Sequence, residues 1–189
     1  DKPFSFDDPI QGEDPYGKSK AEAEIGLLEI AVSTNLEVTI IRPPLVYGAG
    51  VKANFASLLN LASRNIPFPL GSVKNKRSFV ALGNLISLIK TCIDHPKAAN
   101  QTFLVSDDED ISTSDLYTIM VESFGKRPRL VRIKPIFLKV FAQVLGKENI
   151  IDRLIDNLQI DISHTKKTLG WKPILTIKQG IKLCSSKLN

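Results

Sequence analysis

The chain has 189 residues, 43% hydrophobic and 24% charged, enough apolar material to bury the core of one domain or one and a half. Its net charge of +5 is spread out apart from a denser group at Lys126, Arg127, Arg129, Arg132 and Lys134. Aromatic rings do not interleave with that group as stacking platforms would, so it reads as a solvated face and no nucleic-acid partner is expected. No apolar run approaches the ~20 residues that cross a bilayer. Residues 1–20 lack the basic start and apolar core of a signal peptide, which predicts a cytoplasmic protein. Cys92 and Cys184 read as reduced thiols, and His95 and His164 stand alone, so no metal site is expected.

Residues 1–13, with Pro3, Pro9 and Gly12, read as a loop. Asp14-Pro15 is a helix start, with Asp14 as N-cap and Pro15 at the first helical position. That helix should run to about Thr34 with Ile25, Leu28 and Val32 on its buried side. Residues 37–42 form a β-branched run closed by Pro43-Pro44, which suits a buried parallel strand ending at a functional edge. A glycine loop at 45–50 follows, then a helix over 54–63 and the run Pro67-Phe68-Pro69-Leu70-Gly71.

Residues 78–80 read as a strand, 83–94 as a helix, 102–105 as a strand, 112–124 as a helix and 129–133 as a strand. Helices are expected over 136–145, 150–157, 163–169 and 176–187. The apolar stretch 135–145 has only Lys139 and Gln143 to form a polar face, which predicts packing against the domain rather than lying on a membrane. Strands alternating with helices indicate an α/β protein with a parallel component.

Of the three tyrosines, only Tyr16 has a lysine four residues on, at Lys20; on a helix the two share one face. A free phenol, with a pKa near 10, is a poor base at neutral pH. A neighbouring ammonium favours the phenolate, so the pair can move a proton on or off a hydroxyl group.

Tyr16-Gly17-Lys18-Ser19-Lys20, followed by Ala21 and Glu24, resembles the active-site helix of extended short-chain dehydrogenase/reductases. Arg42-Pro43-Pro44-Leu45-Val46-Tyr47-Gly48-Ala49-Gly50 resembles that family's next motif. Arg77-Ser78-Phe79-Val80 is similar to its strand near the sugar-nucleotide phosphates, and Leu169-Gly170-Trp171-Lys172-Pro173 to its late signature. In this order the motifs cover nearly the whole chain and match the NAD-dependent nucleotide-sugar epimerase/dehydratase family, of the UDP-glucose 4-epimerase type.

The resemblance implies the C-terminal part of a Rossmann-type parallel sheet plus a small mixed α/β substrate-binding lobe. Residues 1–50 would be a remnant of the NAD-binding domain and 51–189 mainly the substrate-binding domain, with a strand near 102–105 returning to the sheet. The family's glycine-rich pyrophosphate turn and its Ser or Thr on the preceding strand are not in this sequence. The expectation is therefore a C-terminal fragment, inactive alone.

The resemblance makes Tyr16 the acid/base and Lys20 its partner on the nicotinamide ribose. Pro43 would lie by the nicotinamide of NAD, with NADP as the alternative. Asn54 would touch the sugar nucleotide, Phe68, Pro69 and Leu70 would flank its base, and Arg77 and Arg153 would meet the diphosphate. Many relatives carry Asn where Leu45 stands, which removes a side-chain contact. Tyr47 is taken to pack without a chemical role, and Trp171 to be core.

The implied activity is 4-epimerisation of a UDP-linked, N-acetylated hexose for surface polysaccharide, by a homodimer when full length. Residues 157–161 resemble a subset containing reductases of UDP-4-keto-6-deoxy-N-acetylhexosamine, the first alternative. A non-catalytic nucleotide-binding module is the second, and the presence of both Tyr16 and Lys20 argues against it.

Overall fold

The computed structural model describes residues 2–9, 14–50, 53–144, 146 and 148–187. The expected loop around Gly12 and the helix end at Leu145 lie outside them. Eight helices and five strands are present among these residues: α1 (Pro15–Ser33), β1 (Thr39–Arg42), β2 (Leu45–Tyr47), α2 (Ala53–Ser63), β3 (Arg77–Ala81), α3 (Leu82–Asp94), β4 (Gln101–Leu104), β5 (Asp110–Ile111), α4 (Thr113–Ser123), α5 (Pro135–Val144), α6 (Glu148–Ile155), α7 (Ser163–Leu169) and α8 (Ile177–Ser185). The fold is α/β, as expected.

β1 pairs in parallel with β4, Thr39 opposite Gln101 and Arg42 opposite Leu104. β2 pairs in parallel with β3, which pairs antiparallel with β5. Two expectations fail here. Residues 45–47, read as loop because of the glycines that follow, form β2: the loop's unusual backbone is confined to Gly50, at φ 80°. Residues 129–133, read as a strand, make only isolated bridges, Leu130 to Phe68 and Arg132 to Leu70.

β3 separates two cores because its side chains alternate between faces. Phe79 and Ala81 join a larger core with Leu59, Tyr117, Met120 and Ile181, between α2, α4 and α8. Val80 points the other way, into a smaller core with Leu88, Phe103 and Trp171. Trp171 is core, as expected, its indole N–H donating to Ser87 Oγ at 3.2 Å.

The two cores are tied by a buried polar cluster. Asp107 accepts from the Tyr47 hydroxyl at 2.6 Å, from the Ala81 amide at 2.8 Å and from Asn84 Nδ2 at 2.7 Å. Asn84 Oδ1 accepts the Ile174 and Leu175 amides, both at 2.9 Å. Burial raises the Asp107 carboxyl above its usual range, and burial together with the Asp107 charge raises the Tyr47 phenol. Gly180 of α8 admits that phenol, since a Cβ there would stand 2.5 Å from its oxygen.

α1 departs most from expectation. Its start is as read, with Asp14 Oδ1 accepting the Gly17 amide at 2.6 Å. None of its side chains is buried: Ile25 and Val32 are exposed and Leu28 only half-buried. Helical periodicity marks an apolar stripe, but a stripe is buried only where a packing partner lies against it.

Candidate active site

Tyr16 sits in the first turn of α1 and is 72% exposed. The Lys20 ammonium lies 5.9 Å from the centre of that ring, so the spacing does place both on one face. α1 is held to β1 by an ion pair. Arg42 Nη2 donates to Glu24 Oε1 at 2.6 Å and Nε to the same carboxylate at 3.1 and 3.2 Å. Arg42 Nη1 reaches the Asp8 carbonyl at 3.3 Å, so one guanidinium joins strand, helix and N-terminal segment. Pro43, exposed, follows directly at the end of β1.

Beside this edge, β2, β3, α2, α4 and α6 enclose a cavity of about 320 Å³. Its walls are mainly apolar, from Leu45, Phe55, Leu58, Phe68 and Phe79. Four of the expected substrate contacts line it together: Asn54, Phe68, Arg77 and Arg153. Asn54 is not a helix cap, since α2 already starts at Ala53. Phe68 is buried, its ring stacked on Tyr117 at 4.2 Å. The two other expected base contacts are elsewhere: Leu70 is buried in the larger core and Pro69 is exposed outside the cavity.

Arg77 and Arg153 bring positive charge to an apolar chamber, and among the described residues neither is in an ion pair. Arg77 Nη1 donates to the Asp156 carbonyl at 3.0 Å, and burial lowers its pKa from the usual range. Arg153 is exposed at the cavity rim.

Two positioning residues carried no sequence signal. Asn75 Nδ2 donates to the Leu154 and Asp156 carbonyls at 3.1 and 3.0 Å, and its Oδ1 accepts the Thr113 amide at 2.9 Å. Thr113 Oγ1 donates to the same Leu154 carbonyl at 2.5 Å. These donors satisfy carbonyls at the C-terminal end of α6 and fix that helix, with Arg153, beside β3. An asparagine among lysines gives no hint that it is buried; only the fold shows it.

Residues 157–161 run alongside β3. The Leu158 carbonyl accepts the Ser78 amide at 2.8 Å, and the Asp161 amide donates to the Phe4 carbonyl at 2.9 Å. Among the described residues no group of His, Cys, Asp and Glu could hold a metal, and both cysteines are free.

A family model described as GDP-mannose 4,6 dehydratase matches residues 1–184. The chain belongs to that family. The match bears out the resemblance drawn from the motifs. A UDP-glucose 4-epimerase of Vibrio cholerae is 51% identical over 181 residues, covering 95% of this chain and 55% of that protein. A dTDP-4-dehydro-6-deoxyglucose reductase of Escherichia coli is 25% identical over 187 residues, covering 96% and 54%. The chain thus spans about half the length of the curated relatives it matches. Among solved structures, a UDP-glucuronic acid 4-epimerase from Bacillus cereus in complex with NAD superposes with a TM-score of 0.75. It is 16% identical, covering 99% of this chain and 56% of that one, a likeness that concerns the fold alone.

Proposed function

We propose that this chain belongs to an NAD-dependent nucleotide-sugar epimerase acting at carbon 4 of a UDP-linked hexose, N-acetylated at carbon 2. The cavity carries the reading: an apolar chamber that presents Phe68, Asn54 and two guanidiniums, neither in an ion pair among the described residues, suits a base, a sugar and a diphosphate. A diphosphate bound by Arg77 and Arg153 gains charge-assisted hydrogen bonds, strengthened at Arg77 by partial burial. The 51% identity to a named UDP-glucose 4-epimerase supports the same reaction class.

The residues present suit the nicotinamide end of NAD. Lys20 offers three donors 5.9 Å from the centre of the Tyr16 ring, and Pro43 closes β1 at the edge where α1 is anchored. NADP is the alternative. NAD, when bound, would supply a hydride acceptor and donor at carbon 4. Tyr16, acting as a phenolate, takes the proton from the 4-hydroxyl, carries it as a phenol and later returns it, with the Lys20 ammonium beside its ring on the same helix face. Arg77 and Arg153 keep the diphosphate fixed so that the sugar can present either face.

The proposal also divides the chain, with residues 1–50 in the NAD-binding domain and 51–189 mainly in the substrate-binding domain, β4 returning to pair with β1. It takes the full-length enzyme to be a homodimer in the cytoplasm, where reduced thiols such as Cys92 and Cys184 persist, supplying precursors of surface polysaccharide. A second reading, a reductase of a UDP-4-keto-6-deoxy-N-acetylhexosamine, is favoured by the Escherichia coli relative.

Proton NMR of UDP-N-acetylglucosamine incubated with the full-length gene product and NAD separates the two. Appearance of the galacto isomer without net NADH is the expected result. NADH-dependent loss of a 4-keto-6-deoxy sugar with no epimer would establish the reductase. No change in either substrate would overturn the carbon-4 assignment.

A further inference from the structure

The structure divides the apolar helix α5 into two faces that its sequence does not separate. Leu138 is buried in the larger core. Ile136, Phe137 and Val140, which fall on one face at helical spacing, are 61%, 64% and 54% exposed. The expectation that this stretch packs inward therefore holds for Leu138 but not for the opposite face. The extended segment leading into α5 adds Val131, also exposed.

Charge gathers in the segment that leads into this helix. Residues 126–140 hold six basic and no acidic side chains, and the rest of the chain then sums to −1. Arg127, Arg129, Arg132 and Lys134 are exposed, and no described carboxylate pairs with them. Only Lys139, at the flank of α5, is neutralised, by Asp152 at 3.1 Å. None of these residues lines the cavity.

We propose that this surface docks on an anionic phospholipid bilayer. α5 lies in the interface with Ile136, Phe137 and Val140 towards the acyl chains, and the four free cations sit among the headgroup phosphates. Apolar burial and attraction to anionic lipid reinforce each other in such an arrangement. The cations come from the segment before the helix, which is why the helix sequence alone gives a weak amphipathic signal. Nucleic acid suits the surface less well, because a phosphate backbone gains nothing from exposed aliphatic side chains. A second copy packed through the same patch would set the two groups of cations against each other. No helix among the described residues is long and apolar enough to cross a membrane, and the proposed contact is with the bilayer surface.

The test is cosedimentation of the full-length protein with phosphatidylcholine vesicles, plain or containing about a third phosphatidylglycerol. Binding is expected only to the anionic vesicles and should fall as salt is added. The triple change Arg129→Gln, Arg132→Gln and Lys134→Gln should weaken it on the order of 100-fold. Phe137→Ser with Val140→Ser, at unchanged charge, should weaken it at least about tenfold. All five side chains are exposed and outside the cavity, so the thermal unfolding midpoint should not move in either variant. Three results would overturn the proposal: no sedimentation with either vesicle, anionic binding that survives the Phe137 and Val140 changes, or a solution dimer that Phe137→Ser dissociates. Duplex DNA bound as tightly as the anionic vesicles, and equally insensitive to those two changes, would reassign the patch to polyanions.

Discussion

α1 and α4 start alike and end in opposite surroundings. Asp14 caps the first by accepting the Gly17 amide, and Ser112 caps the second by accepting the Asp115 amide. Yet α1 buries none of its 19 residues, whereas α4 buries six of 11. Local sequence decides that a helix forms and where it begins; burial needs an opposing surface, which α2 and α8 give to α4. The proposed reactive pair rides on the exposed helix, tied down by the Glu24–Arg42 ion pair. The proposed recognition cavity is walled by the buried one. The two should therefore respond separately to mutation.

The largest expected effect is chemical. Under the proposed reaction, Tyr16→Phe in the full-length enzyme lowers turnover by about 10² to 10⁴-fold, the range for loss of a positioned acid/base. UDP affinity, measured by calorimetry, should stay unchanged because the cavity is untouched. Turnover within about twofold of the parent would support the non-catalytic reading.

The next effect sharpens the contrast in stability. Ile181→Ala opens a cavity where α8 meets the larger core and should cost about 2–5 kcal/mol in urea unfolding. Val32→Ser on α1, at a residue 90% exposed, should stay within about 0.5 kcal/mol. Comparable losses in both would mean that α1 is packed in solution.

Within the cavity, Arg77→Gln should weaken UDP binding by about 10- to 100-fold, matching ~1.5–3 kcal/mol for a charge-assisted hydrogen bond. Arg153→Gln, at the exposed rim, should cost only a few-fold. An inverted order would move the diphosphate towards α6.

The same division explains what the sequence revealed. The Tyr16/Lys20 pairing was legible because helical periodicity is local, as was the β1–Pro43 boundary, where proline chemistry stops a strand. Residues 54, 68, 77 and 153 are implied by the family resemblance, and only the fold shows that they line one cavity. Asn75 and Thr113 were invisible, since the carbonyls they satisfy belong to residues 154 and 156, far along the chain. Ile25 and Val32 misled for the converse reason: periodicity cannot tell whether anything covers a stripe. The exposed face of α5 is hidden from the sequence in the same way, the cations lying outside the helix that shows the apolar pattern.

The smallest effect concerns the buried link between the two cores. Tyr47 is held protonated in the folded state by burial and by the Asp107 charge, so its pKa lies above the value of about 10 expected when unfolded. Between those two values only the unfolded chain releases the proton. The contribution of Tyr47 is therefore fully present below pH ~10 and is lost as pH rises further, at about 1.4 kcal/mol per pH unit for one group. Burial raises Tyr117 too, so the alkaline slope of the parent should exceed that of a single phenol. Tyr47→Phe should remove one group's share of that slope in urea titrations from about pH 10 to 12. Below pH 10 the variant should be modestly less stable than the parent, by ~1 kcal/mol, because Asp107 keeps the Ala81 amide and Asn84 as donors. The two stability curves then converge and cross by about pH 11, above which the variant is the more stable. Parallel curves would mean that the phenol is reached by solvent and titrates normally in the folded protein.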